Sequence, residues 1–512
     1  MALPDDLTHL LSCARNERAR RQHQINHYLR FADPTSPRVG DDVKKPVDRA
    51  EEADDLFDTT MQEVAEDFAS DLIGRIMPRQ ADWLTYAPLD AVPDEIKAQI
   101  KEPLKQRSTT IFDSIRSSNF YDEAAGEWAL NQGHGTSGLM IVDPGAGRPF
   151  YCEAIPPYQL LILRGARGIN FIARECAWEL GEAVTFWPTY KWTKRQKDDA
   201  RDKTKKRVRH AVVQSATLIP DPGDEKWLWR VCVGDELVHE ETLTGTGSCP
   251  IMASRWRTHA SSPWGLGPLL KAVPDALTLD QERYLVLQNL GEIVKPPVVY
   301  DDDGVLNPEG GVGAGDWIPR VPGSKVDRLE PGRVEAAYYE QGQLQDNIRR
   351  AGFQSGPRQR GKTPPTLGQW LDEKSEEGRR LEMPTGKLYA EGVIAITQRF
   401  EYLLIRNGTI DPFLSVRSGA PIRVRPMNPL ARQQDYEEVQ VAQQLLQAGN
   451  AIFGPQAMAA LVDGGKTFEA FKEKLNDGLI AVRPAEQADE YMRGVLGQPG
   501  SAPGLETVPG EA

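Results

Sequence analysis

The strongest constraint on this chain is a rod, an abrupt break and a second rod. From Asp275 to Val294, apolar Ala276, Leu279, Val286, Leu287, Leu290 and Ile293 recur along one side of a helix that Pro268 and Pro274 introduce and Pro296-Pro297 end. At ~1.5 Å per residue this is a rod of about 30 Å. A short strand-and-turn module follows, VVYDDDGVLNPEGGVGAGDWIPR, and then a second rod from Arg333 to Gln354 with Val334, Ala337, Tyr338, Leu344 and Ile348 at helical spacing. Such an excursion out and back places the module at one end of a stalk. Neither rod is apolar all round, so packing against neighbouring copies in a ring is expected, with Leu279, Val286, Leu290 and Ile293 as the candidate contact stripe.

The sequence before the rods reads as α+β. A polar, arginine-rich helix is expected from about Leu7 to Phe31, and a second from Leu56 to Met77, in which Met61, Val64, Phe68, Leu72, Ile73 and Ile76 share a face and Pro78 stops the chain. Helical segments Glu95 to Ser118 and Tyr121 to Gln132 follow. The stretches GTSGLMIV, FYCEAIPPYQLLIL, NFIARECAWEL, AVTFWPTY and KWLWRVCVG then read as strands. Beyond the second rod, LGQWLDEKSEEGRRLEMPTGKLYAEGVIAITQRFEYLLIRNG is a long helical pattern, bent at Pro384 and stopped by Asn407-Gly408. A last helical block (Arg432 to Ala448, Gln456 to Leu461, Phe468 to Leu475) precedes GQPGSAPGLETVPGEA, whose composition predicts disorder.

A chain of 512 residues exceeds what one core usually organises, so several domains are expected. No apolar run approaches the ~18 residues of a membrane span, and MALPDDLTHLL lacks the order of a signal peptide, which predicts residence in a cytoplasm. Five scattered cysteines without C-x-x-C disfavour zinc and a disulfide scaffold. His23 and His27 sit one helical turn apart but lack H-E-x-x-H and read as a solvated helix face. Neither metal nor cofactor is expected. The net charge of −13 repels nucleic acid from the surface as a whole. The basic run Lys191 to His210 lies between strand-like segments and reads as a lysine-rich hairpin tip, because no aromatic residue interleaves its basic core.

GPRQRGKT, Gly356 to Thr363, matches G-x-x-x-x-G-K-[ST] letter for letter. A phosphate cradle needs a buried strand before that loop and a helix N-terminus after it. QLQDNIRRAGFQS before it is polar and helical in period, and Pro364-Pro365 remove two backbone donors after it. The nearest partner motif, VVYDD at Val298 to Asp302, is short and precedes the loop, so a turn after an edge strand explains it better. A P-loop NTPase using Lys362 and Thr363 is therefore the weaker reading, no catalytic residue is assigned, and the octapeptide is a cationic loop between two long helices.

Several segments in order resemble the portal, or head-to-tail connector, proteins of short-tailed double-stranded DNA bacteriophages. FASDLIGRIMPRQADWLTYAP looks like that family's early helix and aromatic segment, GTSGLMIV like its glycine-bearing strand, and IPPYQLLILRGARGINFIARE like the following hairpin. SRWRTHASSPWGLGPLLKAVPDALTLDQ is similar to the stretch leading into the channel-lining helix, and NPLARQQDYEEVQ with LVDGGKTFEAFKEKLNDG to the C-terminal helices. Trp264-Gly265-Leu266-Gly267 and TPPTLGQW depart from the family's usual residues.

The resemblance implies an α+β portal fold without enzymatic activity: wing 1–262, stem helices 263–295 and 333–354, clip 296–332, tunnel loop 355–365, long wing helix and return strand 366–427, crown 428–494 and tail 495–512. It further implies a homododecameric ring at one capsid vertex of the virion, assembled in the host cytoplasm. Double-stranded DNA would pass through it, the terminase large subunit, a tail adaptor protein and capsid and scaffolding proteins would be its partners, and no membrane would be involved. Arg358, Arg360 and Lys362 would then face DNA from the tunnel loop; a solvated interhelical turn is the other reading of the same residues. An acidic structural scaffold without DNA contact is the remaining alternative.

Overall fold

A computed structural model describes the chain from residue 3 to residue 475, apart from 302–316, 321–334, 355–385, 413–421 and scattered single residues and pairs. It divides into two compact units, Met1–Arg425 and Pro426–Ala512.

The first unit opens with α1 (Asp5–Ala19) and α2 (Gln22–Ala32), two helices where the sequence reads as one. Each serves a different core. Leu7, Leu11 and Ala14 of α1 pack with Leu161, Phe171, Ala173, Val213 and Cys232, whereas Ile25, Tyr28 and Leu29 of α2 join the main core. The polar run between them has no apolar group to hold it straight. After the short α3 (Ala50–Asp54), α4 (Thr60–Ile76) buries Met61, Val64, Phe68, Leu72 and Ile76, the face expected from their spacing. Then come β1 (Leu84–Pro88), α5 (Asp94–Ser117), a π-helical turn Phe120–Ala124 and α6 (Ala125–Gln132).

Two antiparallel sheets follow. β2 (Thr136–Val142) lies between β3 (Tyr151–Ile155) and β9 (Ile251–Arg255). The register pairs Gly138 with Ile155 on one side and with Ala253 on the other. β4 (Leu160–Gly165), β5 (Gly168–Glu179), β6 (Arg209–Ile219), β7 (Lys226–Val233) and β8 (Glu236–Thr244) form a meander in chain order.

Between β5 and β6 the structure corrects two expectations. AVTFWPTY is not a strand: Leu180–Phe186 is helix α7, started by a reciprocal cap in which the Glu179 backbone N–H donates to Glu182. The basic run is not a bare hairpin tip either. Lys194–Arg201 is helix α8, with Thr193 and Gln196 forming the same kind of cap. Both signals are local polar pairs that an apolar-period reading passes over.

α9 (Val273–Val294), β10 (Val298–Asp301), β11 (Trp317–Arg320) and α10 (Glu335–Ala351) make the rod, module and rod. β10 and β11 pair in parallel, and the rest of the module lies outside the described residues. The long helical pattern is described from Gly386 onward: a π-helical turn Tyr389–Val393 leads into α11 (Ile394–Arg406), and Gly408 follows it at φ 74°. β12 (Ile422–Pro426) pairs with β1.

Buried arginines tie these layers together. The Arg107 Nε of α5 donates to Glu401 Oε1 of α11 at 2.7 Å, and the Tyr86 hydroxyl of β1 donates to Glu401 Oε2 at 2.8 Å. Arg255 of β9 donates to Glu391 through Nε at 2.9 Å. Arg399 donates instead to three carbonyls, Ile141 O at 3.0 Å, Gly247 O at 3.3 Å and Ser248 O at 2.6 Å, and burial pushes its pKa down to about 10.

His134, in the turn between α6 and β2, is fully enclosed against the Tyr28 ring, and burial pushes its imidazole down to about 3. Its folded pKa therefore lies below that of the unfolded chain. The stability it confers is present above pH ~6.5 and is lost as pH falls toward 3, by about 1.4 kcal/mol per pH unit. Unfolding free energies of the parent and of His134→Leu, followed from pH 7 to pH 4, should shift relative to one another at that rate, against the parent. A constant difference would show that His134 does not titrate on unfolding.

The second unit contains α12 (Pro429–Phe453) and α13 (Gly464–Leu475), which pack together and share the Lys474–Glu438 ion pair.

Candidate assembly surface

The first rod is seated on the mixed helix-and-sheet body by backbone contact. The segment Trp264 to Leu269, just before α9, lies on the turn between α6 and β2: Gly265 N–H donates to Thr136 Oγ1 at 2.8 Å, Gly267 N–H to His134 O at 3.0 Å and Leu269 N–H to Gly133 O at 3.1 Å. Two main chains come too close for side chains. A Cβ on Gly267 would stand 2.0 Å from Gly133 O, and one on Gly135, at φ 109°, would stand 2.2 Å from Gly267 N. The glycines of GHGTSG and WGLGP thus exist for one another.

Further along, Val273, Ala276 and Leu279 enter the core, the Asp280 carboxylate accepts the Phe57 backbone N–H at 2.7 Å, and Arg283 lies 3.2 Å from Asp58. The second rod is seated at its far end. Ile348 is buried, and Phe353, just past α10, takes φ 61°, a left-handed conformation costly for a residue with a Cβ. Its ring lies 6.4 Å from Phe68 and 6.0 Å from Trp256, so aromatic packing offsets that cost, while Gln354 Nε2 donates to Val64 O at 3.1 Å. The chain enters the stalk at the start of α9 and leaves it at the end of α10, and these two ends are the buried ones.

Away from those ends the apolar faces emerge. On the expected stripe, Leu279 is taken up by the protomer's own core, Val286 and Leu290 are half-buried, and Ile293 is exposed. Leu279 therefore has no surface to offer a neighbour. A second line, outside the expected contact stripe, is more open: Leu287, which the spacing places on the apolar side, is 53% exposed and Val294, which it does not, is 75% exposed, seven residues apart on one face of α9, with Tyr338 and Tyr339 exposed on α10. Polar atoms are stranded here too. Glu282 Oε2, Asn289 Oδ1 and Gln341 Nε2 are covered without a hydrogen-bond partner among the described residues. Burial, and then Glu340 nearby, push the Glu282 carboxyl up.

The second unit has its own bare stripe. Val441, Leu445 and Ile452, at i, i+4 and i+11 of α12, are 65%, 73% and 73% exposed. Large apolar side chains aligned on a helix face and left in water mark a contact surface.

Arg358, Arg360 and Lys362 lie outside the described residues, as does the whole octapeptide. Among the described residues, no group of three or more His, Cys, Asp or Glu side chains is placed to hold a metal ion. His23 and His27 stack with ring centroids 4.2 Å apart on α2. No helix among the described residues is long and apolar enough to cross a membrane.

A seated helical stalk with bare apolar faces, on a mixed helix-and-sheet body, is the build of a structural assembly protein. The chain belongs to the bacteriophage head to tail connecting protein family, whose model matches residues 5–476. It is thus a virion protein of the head-to-tail junction, from a family of structural proteins. No curated protein matches it. Among solved structures, it is similar to a chain in the virion of native gene transfer agent (GTA) particle, at 13% identity and a TM-score of 0.37, covering 86% of this chain and 92% of that one. It is also similar to a chain in the neck of native GTA particle computed with C12 symmetry, at 14% identity and a TM-score of 0.31, covering 88% and 98%.

Proposed function

We propose that this connector is a portal: a closed homododecameric ring at one capsid vertex, through which double-stranded DNA is packaged and later ejected. The observation that carries the reading is the pair of rods, seated at their inner ends and bare of cover on the outer part of α9. Repeating one such surface around an axis, each copy meeting the next head to tail, covers it in every copy at once. The acidic balance of the chain supports passage, because a strongly cationic conduit would hold phosphate and stall it.

On this reading residues 1–262 form the wing, meeting capsid and scaffolding proteins, and 263–295 with 333–354 form the stem. Residues 296–332 are the clip that docks the terminase large subunit and afterwards the tail adaptor, 366–427 return through the wing, 428–494 form the crown, and 495–512 are its tail. The tunnel loop, 355–365, turns Arg358, Arg360 and Lys362 toward the channel, where symmetry makes them a belt that touches phosphates without reading bases.

Replacing all three cations by Ser is expected to preserve rings and empty heads while changing the length or retention of packaged DNA. Wild-type packaging and retention across a salt series would reduce the loop to a connector. Saturable ATP binding by the purified protein, lost in Lys362→Ala, would restore the nucleotide-binding reading instead.

A further inference from the structure

We infer that the insert between β5 and β6 is a second nucleic-acid contact site, one that grips the phosphodiester backbone from the wing rather than from the channel. Between Lys191 and His210 there are ten Lys or Arg residues against three Asp, in a chain whose net charge is −13. The carboxylates do little to neutralise them. Asp199 pairs with Lys205 at 3.0 Å and lies 3.8 Å from Arg195, and Asp202 accepts the backbone N–H groups of Thr204 and Lys205 at 2.8 and 3.1 Å, which leaves Asp198. Lys194, Lys197, Arg201, Lys206, Arg207 and Arg209 are all exposed and have no carboxylate partner among the described residues.

The insert is built, not loose. Both its helices carry reciprocal caps, Trp192 is buried and donates from Nε1 to Trp187 O at 2.9 Å, and Glu236 at the start of β8 accepts from the Tyr190 hydroxyl at 3.0 Å and from Gln196 Nε2 at 3.3 Å. Fixed in this way, Lys194, Lys197 and Arg201 stand at i, i+3 and i+7 on one face of α8. They make a row of about 10 Å at ~1.5 Å per residue, about three phosphates of a strand that carries one charge per ~3.4 Å. α8 packs against the turn Lys205–Arg207, which brings the second group of cations alongside the first.

The fold also supplies the aromatic element that the linear sequence lacks. Trp178 of β5 and Trp187 stack with centroids 5.4 Å apart and planes 10° apart, and exposed Phe186 lies 5.4 Å from Trp178 at the foot of the insert. A fixed cationic row on α8, with an exposed ring at the end of the helix α7 that packs against it, fits a nucleic-acid backbone with a base able to reach the ring. An acidic protein segment would use the cations but has no need of so regular a row.

The test uses the full-length protein and fluorescence anisotropy with a labelled DNA duplex, a labelled single strand and a labelled polyglutamate peptide. The parent is expected to bind DNA and to lose on the order of a thousandfold in affinity between about 50 and 200 mM salt, as about six phosphate contacts require. The triple variant Lys194→Ser, Lys197→Ser, Arg201→Ser should lower the salt slope by about 3. Arg358→Ser with Arg360→Ser and Lys362→Ser should leave this binding in place, which separates the insert from the tunnel loop and from the passage reading. Phe186→Ser weakening only the single-strand complex would identify an unpaired strand as the ligand form; equal binding in that variant would identify the duplex. Unchanged DNA binding in the α8 variant, or polyglutamate binding as tight as DNA, overturns the inference.

Discussion

Replacing Leu287 and Val294 together by Asp is expected to leave the protein folded and monomeric. Leu287 is about half and Val294 three-quarters in water in the single chain, so the change removes little contact within the protomer. In a ring each would be covered by the next copy, where an apolar side chain is worth about 1.5–3 kcal/mol and an unpaired carboxylate is costly to bury. The loss recurs at every junction. Sedimentation velocity should show the assembled species of the parent replaced by a single slow one, with circular dichroism unchanged. An equivalent change at Leu290 would be harder to interpret, because that residue is half-buried in its own chain and an Asp there would also disturb the protomer. Intact assemblies from the Leu287→Asp, Val294→Asp protein would show that this face of α9 looks into solvent or the lumen.

The second large effect concerns the protomer itself. Glu401→Leu should destabilise the first unit by about 3–5 kcal/mol, because it leaves the Arg107 guanidinium buried without its counter-ion and the Tyr86 hydroxyl without its acceptor. Arg107 would keep one bond, from Nη1 to Asp411 O at 2.8 Å, which is too little to replace a carboxylate. The double variant Arg107→Met, Glu401→Leu should recover much of the loss, since an apolar pair can fill the space of a buried ion pair. Denaturant unfolding of the three proteins measures both statements. A single variant as stable as the parent would mean that water reaches the site.

The rods were legible because their signals are local: prolines mark the limits of α9, and apolar residues recur at helical spacing along both helices. The face of α4 was legible for the same reason. Other elements were not. β9 pairs with β2 from more than a hundred residues away, and IMASR alone does not announce a strand; β8, ELVHEETLT, lies at the sheet edge with mostly polar alternation. α7 and α8 were hidden because their helical signals are capping pairs, Glu179 with Glu182 and Thr193 with Gln196, inside stretches rich in aromatic or charged residues.

The exposure along the first rod was half legible. Spacing proposes the stripe Leu279, Val286, Leu290 and Ile293, but periodicity does not say where along a helix the protomer's own core ends, and Leu279 falls inside it. That boundary is set by the Asp280 and Arg283 contacts to Phe57 and Asp58, which join segments distant in sequence. The layered arginines, Arg107, Arg255 and Arg399, were invisible for the same reason.

Electron microscopy of the purified full-length protein tests the central claim most directly. Closed rings of uniform copy number with an open axial channel, lined by the α9 and α10 stalks, are the expected result. Globular monomers at every concentration and ionic strength tried would contradict it.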